Sequence, residues 1–277
     1  MRVPIILYCV KKMSSNLNID VQVISLDEDR SLTDLKQMFP KSSVKIQRGV
    51  DLRNVSDMSL YKSGIIGASG HATINEGRKF HWQLNSKGGV GLAHANRLAM
   101  SKGSNALLLL EDDYKIHNVK KFLQELSILY SKIDDFDVAV FGADYKGDVE
   151  TLEKCKFMSD EWYYLSNNRF WLTHCVFYSP NGRKKMATLL NDRPLEMQID
   201  SLFSFWAEMN ELRIVLQVKN SSVGQITHVS DIQTDSCKLC DVDPQLNHGF
   251  PIYLISTLLI CIFAMVVHTH RMKNEML

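Results

Sequence analysis

The stretch ALLLLEDD, residues 106–113, joins five apolar residues directly to three carboxylates. A run this short is typical of a strand buried on both faces rather than of a separate helix. In an extended chain, Glu111 and Asp113 point to one side and Asp112 points to the other. The stretch therefore predicts an interior strand with acidic side chains at its carboxyl end.

Short apolar runs and helical periodicities alternate on both sides of this strand. Residues 60–86, which hold several glycines, predict a loop-rich connection. The pattern as a whole predicts one α/β domain with a mostly parallel sheet, in which ligands collect at the carboxyl ends of the strands. The predicted strands are 21–26, 44–46, 106–110, 137–142, 173–178 and 212–218, and the predicted helices are 32–39, 90–100, 119–133, 184–190 and 199–209.

The composition limits the classes of function. The chain has 277 residues, of which 45% are hydrophobic, so it can bury a sizeable core. Lys and Arg number 32 against 31 Asp and Glu, a formal net charge of +1. A dedicated nucleic-acid binder is therefore disfavoured.

The three consecutive carboxylates need a compensating charge or good solvation. Like charges about 4 Å apart repel by about 4 kcal/mol at an effective dielectric constant near 20. A divalent metal is the natural partner, because hard oxygen ligands suit Mg²⁺ or Mn²⁺ together with substrate phosphates. A solvated acidic turn that starts a helix is the alternative that the bare motif leaves open.

The order of motifs resembles glycosyltransferase family 25, whose members include lipooligosaccharide and collagen galactosyltransferases with a GT-A type nucleotide-sugar fold. ALLLLEDDYKI is similar to the family's apolar strand with its Glu-Asp-Asp motif. The other matching segments lie on both sides of it, over residues 21–232, and occur in the same order as in the family. They are VQVISLDEDRSLTDLKQMF, KIQRGVDL, GGVGLAHANRLAM, FDVAVFGA, THCVFYSPNGRKKMATLL, QIDSLFSFW and VGQITHVSDI.

This resemblance implies metal-dependent transfer of a sugar to a hydroxyl of a glycan or glycoprotein acceptor. The expected donor is a UDP-hexose, and the transfer is expected to invert the configuration at the sugar carbon. Mn²⁺ or Mg²⁺ would neutralise the diphosphate leaving group. The implied roles are as follows: Asp200 as catalytic base; Glu111, Asp113 and His228 toward the metal; Asp27, Arg30 and Asp112 toward the nucleotide sugar; His94 and Asn96 on the acceptor side.

Each role has a structural alternative. Asp200 fits equally a helix-capping carboxylate before Ser201, and His228 an ordinary surface histidine. His174 lies in an apolar run, which favours a core histidine with satisfied hydrogen bonds. For the whole chain, the alternative is a catalytically inactive relative that binds carbohydrate or acts as a membrane-anchored scaffold.

The C-terminal part carries an uncharged apolar segment, residues 250–267, FPIYLISTLLICIFAMVV. Eighteen helical residues span about 27 Å, close to the hydrocarbon thickness of a bilayer. The segment predicts a single transmembrane helix in contact with lipid, and a buried C-terminal helix is the alternative. The predicted organisation is a short N-terminal segment 1–20, the transferase-like domain 21–232, a linker 233–249, the helix 250–267 and a tail 268–277.

The orientation in the membrane stays open. Arg271 and Lys273 favour a cytoplasmic tail, which requires an export signal in front of the domain. The one candidate, residues 3–10, fits a short strand better than a signal peptide. We therefore expect a tail anchor with the catalytic domain in the cytosol, and glycosylation at Asn54 or Asn220 would indicate the opposite.

Overall fold

The computed structural model describes residues 17–78, 80, 82–84, 86–158, 161–166 and 169–226. The predicted strand at 3–10, His228, the linker 233–249 and the predicted membrane helix 250–267 lie outside these residues. Within them, none of the helices combines the length and apolar character needed to cross a bilayer. The strands and helices of the described residues belong to one compact unit.

An eight-stranded sheet forms the centre of this unit, in the order β2-β1-β3-β10-β5-β11-β8-β7. Two further pairs, β12 with β4 and β6 with β9, form small antiparallel sheets. The strands are β1 (Asp20–Ser25), β2 (Ser43–Arg48), β3 (Leu107–Glu111), β4 (Tyr114–Ile116), β5 (Val138–Val140), β6 (Asp144–Tyr145), β7 (Glu153–Lys154), β8 (Trp162–Tyr164), β9 (Phe170–Trp171), β10 (Cys175–Tyr178), β11 (Ile214–Gln217) and β12 (Val223–Gln225).

The predicted α/β class with a mostly parallel sheet is confirmed. β1 lies parallel to both β2 and β3, and β5 lies parallel to β11. β10 runs antiparallel between β3 and β5, and β8 runs antiparallel to β11. The carboxyl ends of β1 and β3 therefore meet the amino end of β10 at one end of the strands. This boundary is called the carboxyl edge of the sheet below.

Helices cover both faces of the sheet, which explains why β3 is apolar at consecutive positions. Leu107 and Leu109 pack into one core cluster, whereas Leu108 and Leu110 pack into the other. The helices are α1 (Thr33–Met38), α2 (Asp57–Lys62), α3 (Ala68–Glu76), α4 (Lys87–Ser101), α5 (Val119–Ser131), α6 (Pro180–Asp192) and α7 (Ile199–Glu208).

The predicted loop-rich region 60–86 contains helical structure. α2 is capped by the Ser56 side chain, which accepts a hydrogen bond from Ser59 N, and it continues to Lys62. α3 follows, and it ends at Gly77, whose φ of 86° is the left-handed conformation that favours glycine. The glycines here border or lie within short helices instead of indicating a loop.

The core also contains residues that precede the predicted domain boundary at 21. Leu17 and Ile19 are each 1% exposed and pack in the same cluster as Val21 and Val23. The folded domain therefore includes residues from at least 17 onward. α6 likewise begins before the predicted residue 184, because Ser179 caps it and Pro180 occupies its first turn.

Candidate functional site

The acidic side chains at the end of β3 contact three different elements. Asp112 accepts a hydrogen bond from Ser25 Oγ at 2.9 Å, on the β1 side. Glu111 Oε1 accepts one from Thr173 Oγ1 at 2.7 Å, on the β10 side. The predicted divergence of Asp112 from Glu111 is thus present, and it divides the edge of the sheet into two sides.

The small sheet formed by β4 and β12 holds the third carboxylate. Gln225 pairs with Tyr114 in the register of these strands, and its side-chain amide donates to Asp113 Oδ2. Ile226 N also donates to the Asp113 carbonyl oxygen at 2.7 Å. Asp113 is therefore fixed from both its backbone and its side chain. His228, the predicted further metal ligand, follows this strand but lies outside the described residues.

Glu111 occupies a strongly anionic environment. The pKa of its carboxyl group is raised to about 8. Burial is the largest cause, the hydrogen bond from Thr173 acts against it, and the charges of Asp113, Asp200 and Asp112 add to it. The fold thus brings Asp200 close enough to the acidic trio for the two to repel each other. Concentrated negative charge of this kind is what a bound cation relieves.

The described residues supply only a partial donor set for a metal. They contain no group of three or more Asp, Glu, His or Cys side chains arranged to hold an ion. Glu111 and Asp113 are nevertheless hard oxygen donors, and Mg²⁺ in phosphate sites uses one or two carboxylates together with substrate oxygens. The chemistry of these two donors fits a metal held jointly with a diphosphate.

Asp200 lies in the first turn of α7, where a carboxylate interacts favourably with the helix dipole. Its Oδ1 accepts hydrogen bonds from Ser201 N at 2.7 Å and from Ser201 Oγ at 3.3 Å. The cap position itself belongs to Gln198. Asp200 therefore hydrogen-bonds to Ser201, as the sequence suggested, and its charge also acts on Glu111.

Arg30 reaches the same edge of the sheet from the loop after β1. Its guanidinium carbon lies 5.7 Å from the centre of the Tyr114 ring, directly after Asp113 in the chain. Burial raises the pKa of Tyr114, while the charge of Arg30 and its hydrogen bond lower it. Asp27 is exposed in a turn, where its carboxylate accepts from Asp29 N at 3.0 Å.

The two residues predicted for the acceptor side lie in α4. Asn96 is 4% exposed and donates from Nδ2 to Leu92 O at 3.0 Å, a bond within its own helix. His94 is half-buried, and burial together with the charge of Arg97 lowers its pKa. Within the described part of the chain, neither residue hydrogen-bonds to the acidic trio, and the acceptor role of both stays a prediction.

Sequence reasoning assigned no role to several residues of this edge. They are Ser25, Thr173 and Gln225, which bind the acidic trio, and Arg169, near Asp200. Burial lowers the pKa of Arg169 to about 10, although Glu208 and Asp200 raise it, so the guanidinium stays charged at neutral pH. Its guanidinium carbon lies 5.8 Å from the centre of the Trp82 ring.

The segment before Thr173 is strained. Leu172 has a φ of 77°, in a region that a branched side chain rarely occupies. Such conformations cost about 1–3 kcal/mol and concentrate at functional sites. The sequence contains no signal for it, since a leucine between Trp171 and Thr173 looks like ordinary strand.

His174 is a core residue, as its apolar neighbours suggested, but its hydrogen bonds are not satisfied within the described residues. It is 1% exposed, and neither ring nitrogen has a hydrogen-bond partner there. Burial, followed by the charge of His117, lowers its pKa to about 4. Its backbone carbonyl serves the site, because it accepts from Glu111 N at 3.0 Å.

Comparisons with known proteins give only distant structural similarity. No family model matches the sequence, and no curated protein matches it. Among solved structures, apo UDP-glucose pyrophosphorylase is 11% identical with a TM-score of 0.38, covering 80% of this chain and 81% of that one.

Two other solved structures are comparably distant. A197 from STIV is 12% identical with a TM-score of 0.36, covering 79% of this chain and 100% of that one. A protein from Thermus thermophilus described as mannose-1-phosphate geranyltransferase is 9% identical with a TM-score of 0.36, covering 75% of this chain and 76% of that one. Similarity at this level assigns no activity, so the functional argument depends on the residues of the site.

Proposed function

We propose that this chain is a metal-dependent glycosyltransferase of the family 25 type, which transfers a sugar from a nucleotide diphosphate sugar to an acceptor hydroxyl. The observation that carries the proposal is the convergence of Glu111 and Asp200, 89 positions apart in the chain, at the carboxyl edge of a mostly parallel sheet. Ligands of open α/β sheets bind at this edge. UDP-hexose is the proposed donor, and a hydroxyl of a glycan or glycoprotein is the proposed acceptor.

The β1 side of the edge supports the donor assignment. Ser25 is hydrogen-bonded to Asp112, and Arg30 lies against the ring of Tyr114. An arginine provides the planar array of donors that phosphate groups require, and a tyrosine ring provides a surface on which a nucleobase stacks. We assign Asp27, Arg30 and Asp112 to the nucleotide sugar.

Mn²⁺ or Mg²⁺ is the proposed cofactor, held by Glu111 and Asp113 with His228 as a further ligand. When bound, such an ion supplies positive charge that stabilises a diphosphate leaving group. The positive charge of such an ion would also offset the charges of Asp113, Asp200 and Asp112, which contribute to the raised pKa of Glu111.

Asp200 is the proposed general base. In the transfer, the bond between the sugar C1 and the diphosphate oxygen breaks, and a bond from C1 to the acceptor oxygen forms with inversion. The proton of the acceptor hydroxyl passes to the Asp200 carboxylate, and the electron pair of the broken bond leaves on the nucleoside diphosphate. General-base assistance of this kind contributes a factor of about 100 to 10,000 in rate.

Residues 250–267 are the proposed membrane anchor, with the catalytic domain in the cytosol. The support is the sequence itself, because the segment holds no charged residue over the length of a bilayer span. Protease protection of the tail in membrane vesicles tests the orientation. Glycosylation of Asn54 or Asn220 in a eukaryotic expression host would contradict it.

The decisive experiment measures thermal stabilisation of the full-length chain by a panel of nucleotide sugars, with and without Mn²⁺. We expect one donor to raise the unfolding temperature only in the presence of metal. Asp113→Asn should abolish this shift. Asp51→Asn, which changes an exposed carboxylate paired with Arg53, is the control and should keep it. No stabilisation by any nucleotide sugar would overturn the proposal. Stabilisation without hydrolysis or transfer would identify a non-catalytic relative that binds the donor.

A further inference from the structure

The four tryptophans of the chain divide into two groups. Trp162 and Trp206 lie in the core, 0% and 4% exposed. Trp82 and Trp171 are only half-buried. An indole ring that stays partly exposed offers a large apolar face and one N–H donor, a combination suited to ligands with an apolar and a polar side.

Trp171 is connected to the acidic trio through the residues that follow it in the chain. It lies in β9 two residues before Thr173, whose hydroxyl binds Glu111 at 2.7 Å. Its ring is in contact with a cation, because Lys146 Nζ lies 4.2 Å from the ring centre. The strained residue Leu172 lies between Trp171 and Thr173 and redirects the chain at this point.

Trp82 is tied to the proposed base through the backbone. Its carbonyl oxygen accepts a hydrogen bond from Gln198 N at 3.2 Å, two residues before Asp200. The Gln198 side chain donates in turn to Gln83 O at 3.2 Å. The start of α7 and the segment around Trp82 are therefore held together next to Asp200.

Arg169 connects the two tryptophans. Its guanidinium lies against the Trp82 ring, and its charge interacts with that of Asp200. Its carbonyl oxygen accepts from Lys146 N at 3.0 Å, and Lys146 is the residue that covers Trp171. The Trp82 ring and the Arg169 guanidinium thus lie near the proposed base, and β9, which holds Trp171, packs against α7 through Phe170 and Phe203.

We propose that Trp82, Arg169 and Trp171 form the acceptor subsite and bind a pyranose ring of the acceptor glycan. The C–H face of the sugar stacks on an indole, and the guanidinium donates hydrogen bonds to its hydroxyls. This inference rests on the proposed function. Ser25 and Asp112 lie on the β1 side of β3, whereas Thr173, two residues after Trp171, contacts Glu111 on the β10 side. Trp82 and Arg169 are connected in turn to the start of α7, which carries Asp200.

The test uses the full-length chain with Mn²⁺ and UDP, and two probes, methyl β-D-galactopyranoside and methyl β-D-glucopyranoside. Saturation-transfer NMR reports binding of the sugar C–H groups to the protein. We expect at least one glycoside to bind, and Trp82→Ala or Trp171→Ala to weaken it about tenfold or more. Trp171→Phe should retain part of the affinity, and Tyr61→Ala, which removes an exposed ring on α2, should leave it unchanged.

The failures of the two proposals are distinguishable in the same samples. Absence of UDP–Mn²⁺ binding to the wild-type chain contradicts the proposed function. Normal UDP–Mn²⁺ binding without binding of either glycoside overturns the acceptor subsite, as does wild-type glycoside affinity in both alanine variants. If an alanine variant unfolds, Arg169→Lys, Trp82→Phe and Trp171→Phe replace it, and glycoside affinity within twofold of wild type in all three overturns the subsite.

Discussion

Thr173 Oγ1 donates a 2.7 Å hydrogen bond to Glu111 Oε1. This bond links the segment just before β10 to the end of β3, because the antiparallel pairing brings Glu111 N to the carbonyl oxygen of His174, the next residue after Thr173. The bond lowers the pKa of Glu111, whereas burial and three nearby carboxylates raise it. The threonine is thus the local contact that lowers the cost of keeping this carboxyl group at the edge of the sheet.

Thr173→Val should lower the free energy of unfolding by about 1 kcal/mol, because it replaces the hydroxyl by a methyl group of similar size and leaves Glu111 without this donor. The measurement is chemical denaturation at pH 7. Thr173→Ser retains a hydroxyl at the same position and is the matched control. Equal stability of the valine variant and the wild type would contradict the contact.

The stability of the chain should fall as the pH rises through the range set by Glu111. Its pKa is about 8 in the folded chain against an ordinary value of 4.5. Between these values the folded state keeps a proton that the unfolded state has lost, so stability is complete below about 4.5 and is lost as the pH rises toward 8. The slope due to one such group is at most about 1.4 kcal/mol per pH unit.

Glu111→Gln separates this contribution from that of other titrating groups. The amide resembles a protonated carboxyl group in shape and cannot ionise, so the difference in unfolding free energy between variant and wild type should grow with pH between 4.5 and 8. Urea denaturation at a series of pH values measures it. A difference that is constant over this range would show that Glu111 titrates normally.

Arg183→Met should cost about 3–5 kcal/mol of stability, because it leaves a charge and several carbonyl groups without their buried partner. Arg183 is 1% exposed and donates to Asp20 Oδ2 at 2.6 Å. The same guanidinium closes the end of α4 through carbonyl oxygens of Ala99, Met100, Lys102 and Asn105.

A second substitution provides the control for this pair. Adding Asp20→Leu to Arg183→Met removes the unpaired carboxylate, so the double variant should recover part of the lost stability. Chemical denaturation of the two single variants and the double variant measures the coupling. Strict additivity would contradict a direct Arg183–Asp20 interaction.

Local patterns were sufficient to predict the centre of the fold. Residues 107–110 are apolar at every position because both faces of β3 are covered by core, and the carboxylates mark where that cover ends. Asp200 is singled out by the resemblance of QIDSLFSFW to a family 25 segment, and it lies in the first turn of a helix, as the local pattern predicts. The sequence-based prediction of these elements succeeds because each is determined by residues a few positions apart.

The rest of the site depends on contacts between distant segments. Thr173 meets Glu111 only through the register of β10 with β3, and Gln225 meets Asp113 only through the pairing of β12 with β4. α3 was missed for the same reason, because Glu196, 126 positions away, accepts a hydrogen bond from Gly70 N in its first turn. No hydrophobic periodicity within residues 60–86 indicates the contact with Glu196.

The proposed base can be tested against a neighbouring carboxylate that serves as its control. Asp200 and Glu208 both act on the charge of Arg169, but of these two only Asp200 is among the charges that raise the pKa of Glu111. Asp200→Asn should reduce kcat for sugar transfer about 100- to 10,000-fold, because the acceptor proton then has no base at this position. Binding of the donor with Mn²⁺ should persist, and the pKa of Glu111 should fall below its present value of about 8, since one repelling charge is gone.

Glu208→Gln should leave both kcat and the pKa of Glu111 unchanged. Steady-state kinetics gives the first quantity and carboxyl-resolved NMR titration gives the second. Transfer at the wild-type rate in Asp200→Asn would exclude Asp200 as the base, whereas an unchanged pKa of Glu111 would place Asp200 too far from the acidic trio to serve it.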